Sequence, residues 1–293
     1  MKIKVIAAAA CITFVSIARA DGYSTFKLGP DARTGALGLT GAVMPAGAAS
    51  AYWNPAGLMR LRGADIQLSH HQWIVGVSSE FLSVGWGGEK SAAGLHILYT
   101  SVGDIEHRIG PSPDPLFTFY SYEVIAGFTY ARNIASGLSV GATLKLFYEK
   151  IYIHEALGIG GDIGIQYRVW EKGFLLGGSV QNIGSGGKME DERVSLPLTV
   201  RLGGMMPFNF REISLAVAAD IVKERGFPLH VHCGLEAGWS VLFLRAGFMS
   251  GYDTRSWTAG LGLKWKSYRL DYSFMPLGMG LGESHRLTVG IGF

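Results

Sequence analysis

The chain is poor in charge and in cysteine, and beyond its first twenty residues it has no long apolar run. Charged residues make up 17% of its 293 positions and hydrophobic ones 48%. Its two cysteines are Cys11 and Cys233. Cys11 falls in an expected leader, so the exported chain keeps one thiol and an intramolecular disulfide framework is excluded. There is also no Cys/His cluster of zinc type. After residue 20 no stretch of about eighteen uninterrupted apolar residues occurs, which excludes a membrane-spanning helix. Short strands that turn their apolar residues outward fit such a chain, with its 42 glycines. Glycine-rich disorder is the alternative. Regular alternation and 12% aromatic residues speak against it.

Lys2 and Lys4 precede an apolar run from Val5 to Ile17, and Ala18-Arg19-Ala20 offers small residues for cleavage before Asp21. Residues 1–20 therefore read as a secretory signal peptide for Sec export, because the run is too short to span a bilayer. A lipoprotein reading would use Cys11, but only Val5 to Ala10 precede it as an apolar stretch. Removing the leader takes away Lys2, Lys4 and Arg19 and no acid, so the formal charge of +3 falls to zero. The basic balance belongs to the export signal and does not indicate a nucleic-acid partner.

The last residues carry the clearest pattern. Leu287, Val289, Ile291 and Phe293 alternate with Arg286, Thr288, Gly290 and Gly292. Side chains of a strand alternate between faces, so this segment is apolar on one face and small or polar on the other. That is the need of a closing strand with lipid outside and a lumen inside. From Gly63 to Phe293 the chain divides into about fourteen such segments, each near the length of a tilted membrane strand. Val140, Ala142, Leu144, Leu146 and Tyr148 oppose Ser139, Gly141, Thr143, Lys145 and Glu149. Trp257, Ala259, Leu261, Leu263 and Trp265 oppose Thr258, Gly260, Gly262 and Lys264. The expected fold is all-β: an antiparallel outer-membrane β-barrel of about fourteen strands over residues 63–293.

Connection lengths support the same topology. Tight turns are expected at 88–91, 170–173, 238–240 and 266–267, and longer outer loops at 101–118, 182–195 and 275–283. Outer-membrane barrels alternate short periplasmic turns with longer outer loops in this way. Trp170, Trp239 and Trp265 fall at the expected periplasmic strand ends, where an interfacial aromatic girdle belongs.

Residues 21–62 do not alternate. They include Gly35-Ala36-Leu37-Gly38 and Ala49-Ser50-Ala51-Tyr52-Trp53-Asn54-Pro55-Ala56-Gly57-Leu58. Small residues permit close backbone packing, and Asn54-Pro55 and Ala56-Gly57 are turn signals. A plug folded inside the barrel is the expected role, with a periplasmic extension as the alternative.

This front motif resembles the PorV/PorQ outer-membrane proteins, within the wider FadL-like barrel group. Leu196-Pro197-Leu198-Thr199-Val200-Arg201-Leu202-Gly203 adds to the resemblance. So does the end of the chain, Tyr272-Ser273-Phe274-Met275-Pro276-Leu277-Gly278 followed by Ser284-His285-Arg286-Leu287. The Asn-Pro-Ala motif belongs to the whole group, whereas the C-terminal pattern is closer to PorV/PorQ. The resemblance implies a fourteen-stranded barrel with a luminal N-terminal segment; no cofactor is expected. It also implies one of two non-enzymatic roles. A PorV-like protein would handle a translocating or surface-bound substrate, with type IX secretion subunits or cargo proteins as partners. A FadL-like protein would pass hydrophobic small molecules, using an apolar cavity beneath the outer loops and a lateral gap in the wall. Leu116, Phe117 and Phe119 are candidates to line that cavity or to pack a loop. The chain is shorter than the usual member of either kind, with the loss expected in the outer loops. Terminal Phe293 resembles the signal read by the barrel-assembly machinery, and outer-membrane lipid is the expected surrounding.

No catalytic residue is assigned. Gly137-Leu138-Ser139-Val140-Gly141 fits a nucleophile-elbow pattern, but the serine enters a strand with no helix after it. His230, His232 and Glu236 share one strand face, a spacing a metal can use, although ordinary lumen residues share it too. His70 and His71 point to opposite faces of a strand. The remaining lumen charges, including Lys145, Asp162, Arg201, Asp220, Arg245, Arg269, Asp271 and Arg286, have mixed signs. Internal pairing that stiffens the barrel and pins the plug is expected of them.

Overall fold

The computed structural model describes residues 28–111, 113–170 and 173–293. The expected leader and the first residues of the front segment lie outside them. Among the described residues no helix is long and apolar enough to cross a membrane.

The first seven strands are β1 (Gly63–Gln72), β2 (Ser78–Gly87), β3 (Ser91–His107), β4 (Phe117–Ala135), β5 (Leu138–Ile151), β6 (His154–Arg168) and β7 (Leu175–Ser185). A two-residue hairpin follows, β8 (Lys188–Met189) with β9 (Glu192–Arg193). The chain then returns through β10 (Thr199–Phe210), β11 (Ile213–Glu224), β12 (Leu229–Trp239) and β13 (Leu242–Ser250). It closes with β14 (Trp257–Trp265), β15 (Tyr268–Leu277) and β16 (Gly282–Gly292). All strands except β8 and β9 form one closed antiparallel barrel of fourteen strands, in which β16 pairs with β1. Closure removes the free edges that hydrocarbon would leave unsatisfied.

Alternation sets the register. Leu144 and Leu146 face outward and are exposed, while Thr143, Lys145 and Phe147 between them are buried in the lumen. The short turns gather at the end that holds Gly63 and Phe293, whose neighbourhood is closed by Phe293 N–H donating to the Ala64 carbonyl at 2.8 Å. Trp86, Trp170, Trp239 and Trp265 are exposed at this end. In an outer-membrane barrel this is the periplasmic rim.

At the other rim the structure departs from the expected loop lengths. β3 and β4 stay paired past the expected loop start, with Ile105 opposite Phe119 and His107 opposite Phe117, so the connection shrinks to residues 108–116. A bulge with Asp104 at φ +53° absorbs the change of register. Stacked rings hold this extension: His107 on Phe117 at 4.5 Å, and Phe117 near Tyr152 at 5.4 Å. β15 and β16 likewise pair to Leu277 and Gly282, and β5 and β6 are joined by two residues. The outer connections are therefore shorter than composition alone indicates, because aromatic and backbone pairing continue into segments whose charge and proline read as loop.

Candidate functional site

Residues 28–62 lie inside the barrel. Asp31 caps the short helix α1 (Ala32–Ala36) by accepting from Thr34 N–H at 2.8 Å. Its other oxygen accepts from Trp53 Nε1 at 2.6 Å. A second short helix, α2 (Ser50–Trp53), runs into the Asn-Pro-Ala-Gly motif. Asn54 caps the following 3₁₀ turn (Pro55–Arg60), and Pro55 occupies its first position, where a missing N–H costs nothing.

An irregular backbone in a confined lumen must find partners for its N–H and C=O groups. The polar faces of the strands supply them. Ser69 Oγ donates to the Pro30 carbonyl at 2.7 Å, and Ala32 N–H donates to Thr288 Oγ1 at 2.8 Å. Gln166 donates to the Ala42 carbonyl and Gln181 to that of Tyr52, both at 2.9 Å. Asp220 accepts from Ala42 N–H at 2.9 Å, and Asp65 from Ala48 N–H at 2.7 Å. The Asn54 side-chain amide donates to three carbonyls: Ala42 at 2.8 Å, Ile165 on β6 at 3.2 Å and Gly178 on β7 at 3.3 Å. The wall there is glycine, and a Cβ on Gly164 would sit 2.0 Å from Asn54 Oδ1.

Several charged side chains of the lumen form ion pairs. Lys145 meets Asp162 at 2.8 Å and Arg201 meets Asp220 at 3.0 Å. Arg245 bridges Glu236 and Asp271, each at 2.7 Å, and Arg33 of the plug also holds Glu236. Arg269 pairs with Asp65. Arg286 donates to the Leu28 and Gly29 carbonyls of the plug. This charged layer borders a recess of about 190 Å³ on the periplasmic side, lined in part by Arg33, Glu236, Arg269 and Asp271.

The polar lumen residues picked out from the sequence, His230, His232, Glu236, Arg269, Asp271 and Arg286, therefore do not form one group. All six side chains face the lumen, but at different depths. His230 stacks on Tyr252 at 3.9 Å, and His232 Nε2 lies 3.0 Å from the Tyr252 hydroxyl. Burial pushes the phenol of Tyr252, in the connection after β13, above its ordinary value, so it is protonated at neutral pH. Glu236 is engaged by two arginines, away from both histidines. Among the described residues no group of three His, Cys, Asp or Glu side chains is placed to hold a metal ion. His70 and His71 do face opposite ways: His71 is buried against Ser284 Oγ at 2.8 Å, while His70 is exposed on the outer wall.

Above the plug the lumen changes character. Phe81, Leu98, Ile125, Phe147, Met249 and Met275, from six strands, are buried against Leu39, Tyr52 and Trp53 of the plug. Leu196, from the connection after β9, closes this layer from outside. The apolar region expected beneath the outer loops is present, filled by side chains. Phe117 and Phe119 are not part of it; they pack with Tyr152 in the outer extension, and Leu116 is exposed. The expected lateral gap is not seen at β6–β7, where the wall carries a bulge and stays paired on both sides of it. The β6–β7 register shifts between Gly161 and Ile163, and there Asn182, at φ +61°, donates its backbone N–H to Asp162 Oδ1 at 2.8 Å.

Several residues of this site escape sequence reading. Asp31, Arg33, Asp65, Gln166 and Gln181 bind plug or barrel across large sequence separations. Only Asp31, three residues before Thr34, carries a local capping signal.

No protein-family model matches the chain, and no curated protein matches it. Solved structures do. The toluene transporter TbuX of Ralstonia pickettii superposes with a TM-score of 0.63 at 16% identity, covering 91% of this chain and 98% of that one. The P. putida toluene transporter TodX gives a TM-score of 0.63 at 13% identity, covering 90% and 99%. The monoaromatic hydrocarbon channel CymD gives 0.63 at 14%, covering 91% and 98%. At such identities the likeness establishes the fold. The chain shares the fold of these transporters, a closed barrel of fourteen antiparallel strands, here around a luminal N-terminal segment. The narrower PorV/PorQ resemblance gains no support from these neighbours.

Proposed function

We propose that this protein is a non-enzymatic outer-membrane channel for small hydrophobic molecules. The observation that carries the reading is the apolar layer between the outer connections and the plug, built by Phe81, Leu98, Ile125, Phe147, Met249 and Met275. A sugar or ion pore has no use for such a layer, whereas an apolar solute gains by entering it from water. The neighbours named as toluene transporters and a monoaromatic hydrocarbon channel support the same reading. They favour it over a role in type IX secretion.

An apolar solute held above the plug meets a charged layer beneath it and hydrocarbon beside it. Leaving past the β6–β7 bulge parts one ion pair, Lys145–Asp162, whereas leaving through the charged layer below parts several. Lys145, Asp162 and Asn182 stitch that bulge in the resting state. The reading includes an outer-membrane location reached after Sec export. It also includes assembly by the barrel-assembly machinery through the terminal Phe293 strand.

The protein purified from its native membrane in mild detergent, and analysed whole by mass spectrometry, tests this reading. A stoichiometric fatty acid, aromatic or other apolar molecule is expected. Co-purifying secretion subunits or exported cargo, with no small molecule, would return the secretion role.

A further inference from the structure

The outer wall is not equally apolar all the way round. On β12 the outward residues run Trp239, Ala237, Leu235, Cys233, Val231 and Leu229, without a polar group of oxygen or nitrogen in the hydrocarbon zone. On β2 the run is Trp86, Val84 and Leu82, and then Glu80. On β1 it is Ala64, Ile66 and Leu68, and then His70. On β16 it is Ile291, Val289 and Leu287, and then His285. Three adjacent strands thus end their apolar stripe at their fourth outward residue, with His70 opposite Glu80 and His285 one step further out opposite Gln72, and Ser78 and Glu283 continue the polar side.

These groups are exposed and partnered with one another rather than with the lumen. His70 Nδ1 lies 2.6 Å from Glu80 Oε1, with side-chain exposures of 52% and 55%. His285 Nδ1 lies 2.7 Å from the hydroxyl of Tyr272 on β15. Strands rise about 3.3 Å per residue and tilt about 40°, so the six residues from Trp86 to Glu80 span about 15 Å along the membrane normal. The ten residues from Trp239 to Leu229 span about 25 Å, the usual height of the apolar band. Ionisable groups facing full-thickness hydrocarbon are costly wherever they are unmatched by water or headgroups.

We infer that the bilayer is thinned where the first and last strands meet, with lipid headgroups and water descending to His70, Glu80 and His285. The partner this surface fits is a lipid layer roughly 10 Å thinner than that on the β12 side. The inference rests on the barrel's membrane embedding and is independent of what the channel carries.

Cys233 is an internal reference. It is exposed on the outer wall, six residues from the rim tryptophan Trp239, as Glu80 is from Trp86. The full-length protein is reconstituted in phosphatidylcholine vesicles and treated with a membrane-impermeant maleimide. A thiol reacts as thiolate, which hydrocarbon suppresses. In a Cys233→Ser background, Glu80→Cys is expected to label at least about tenfold faster than native Cys233. His285→Cys, which leaves the His70–Glu80 pair intact, is expected to behave as Glu80→Cys does. Heat-modifiable electrophoretic mobility checks that each variant is a folded barrel. Equal protection of both new thiols and Cys233 would overturn the thinning. Rapid labelling of Cys233 itself would overturn the membrane embedding on which it rests.

Discussion

Arg33 and Glu236 face each other through two parallel hydrogen bonds, Nε to Oε2 at 2.8 Å and Nη2 to Oε1 at 2.7 Å. One belongs to the luminal segment and the other to β12, so the pair ties plug to wall. Arg245 keeps Glu236 partnered if Arg33 is lost. Arg33→Gln is therefore expected to loosen the plug more than the barrel. Hydrogen exchange of residues 28–62 should accelerate several-fold, while the heat-modification temperature of the barrel changes little. Unchanged exchange in the segment would show that the pair is dispensable.

A Cβ on Gly164 would sit 2.0 Å from Asn54 Oδ1 and 2.9 Å from Pro55 Cδ. Neither neighbour is free to yield, because Asn54 is fixed by its carbonyl partners. Gly164→Ala is expected to displace the Asn-Pro-Ala-Gly turn and raise single-channel conductance in planar bilayers. Gly110→Ala, at a glycine with nothing within 4 Å, is the control and should leave conductance unchanged. A closed Gly164→Ala channel would mean that the plug seats elsewhere.

Asn54 itself can be replaced by a side chain of similar size without hydrogen bonds. Asn54→Leu removes the cap on Ala56 N–H and the donations to Ala42, Ile165 and Gly178. Ala42 keeps Gln166 as a donor. The remaining loss is a cap and a few buried partners, about 1–3 kcal/mol. Thermal unfolding followed by circular dichroism in detergent should show a lowered midpoint.

Asp271→Ala leaves Arg245 with Glu236 alone, and Arg286→Ala leaves the Leu28 and Gly29 carbonyls without their guanidinium. Both are expected to lower the temperature of heat-induced barrel unfolding. Arg286→Ala should also release the start of the plug to protease. An unchanged temperature for both would remove these residues from the account of stability.

The barrel was legible because its signal is local. Leu287, Val289 and Ile291 disclose a lipid face within one strand, and period two needs no knowledge of neighbours. The plug was legible by contrast, since Asn54-Pro55-Ala56-Gly57 breaks that period. Contacts between the two were not. Arg33 meets Glu236 across 203 positions, and Arg286 meets Gly29 across 257. Sequence spacing cannot anticipate which lumen side chain reaches which plug carbonyl. For the same reason His230, His232 and Glu236 read as one cluster by their shared face, while depth in the lumen assigns them different partners. The outer loop expected at 101–118 was misplaced, because strand pairing continues through Glu106 and His107.

The central claim is passage of hydrophobic molecules, and uptake measures it most directly. Cells lacking their own channel of this type are given the full-length gene or an empty vector. Entry of radiolabelled toluene, laurate and a hydrophilic disaccharide is then followed over seconds. Faster entry of toluene or laurate is expected with the gene present, and no change for the disaccharide. Equal uptake of all three with and without the folded barrel would contradict it.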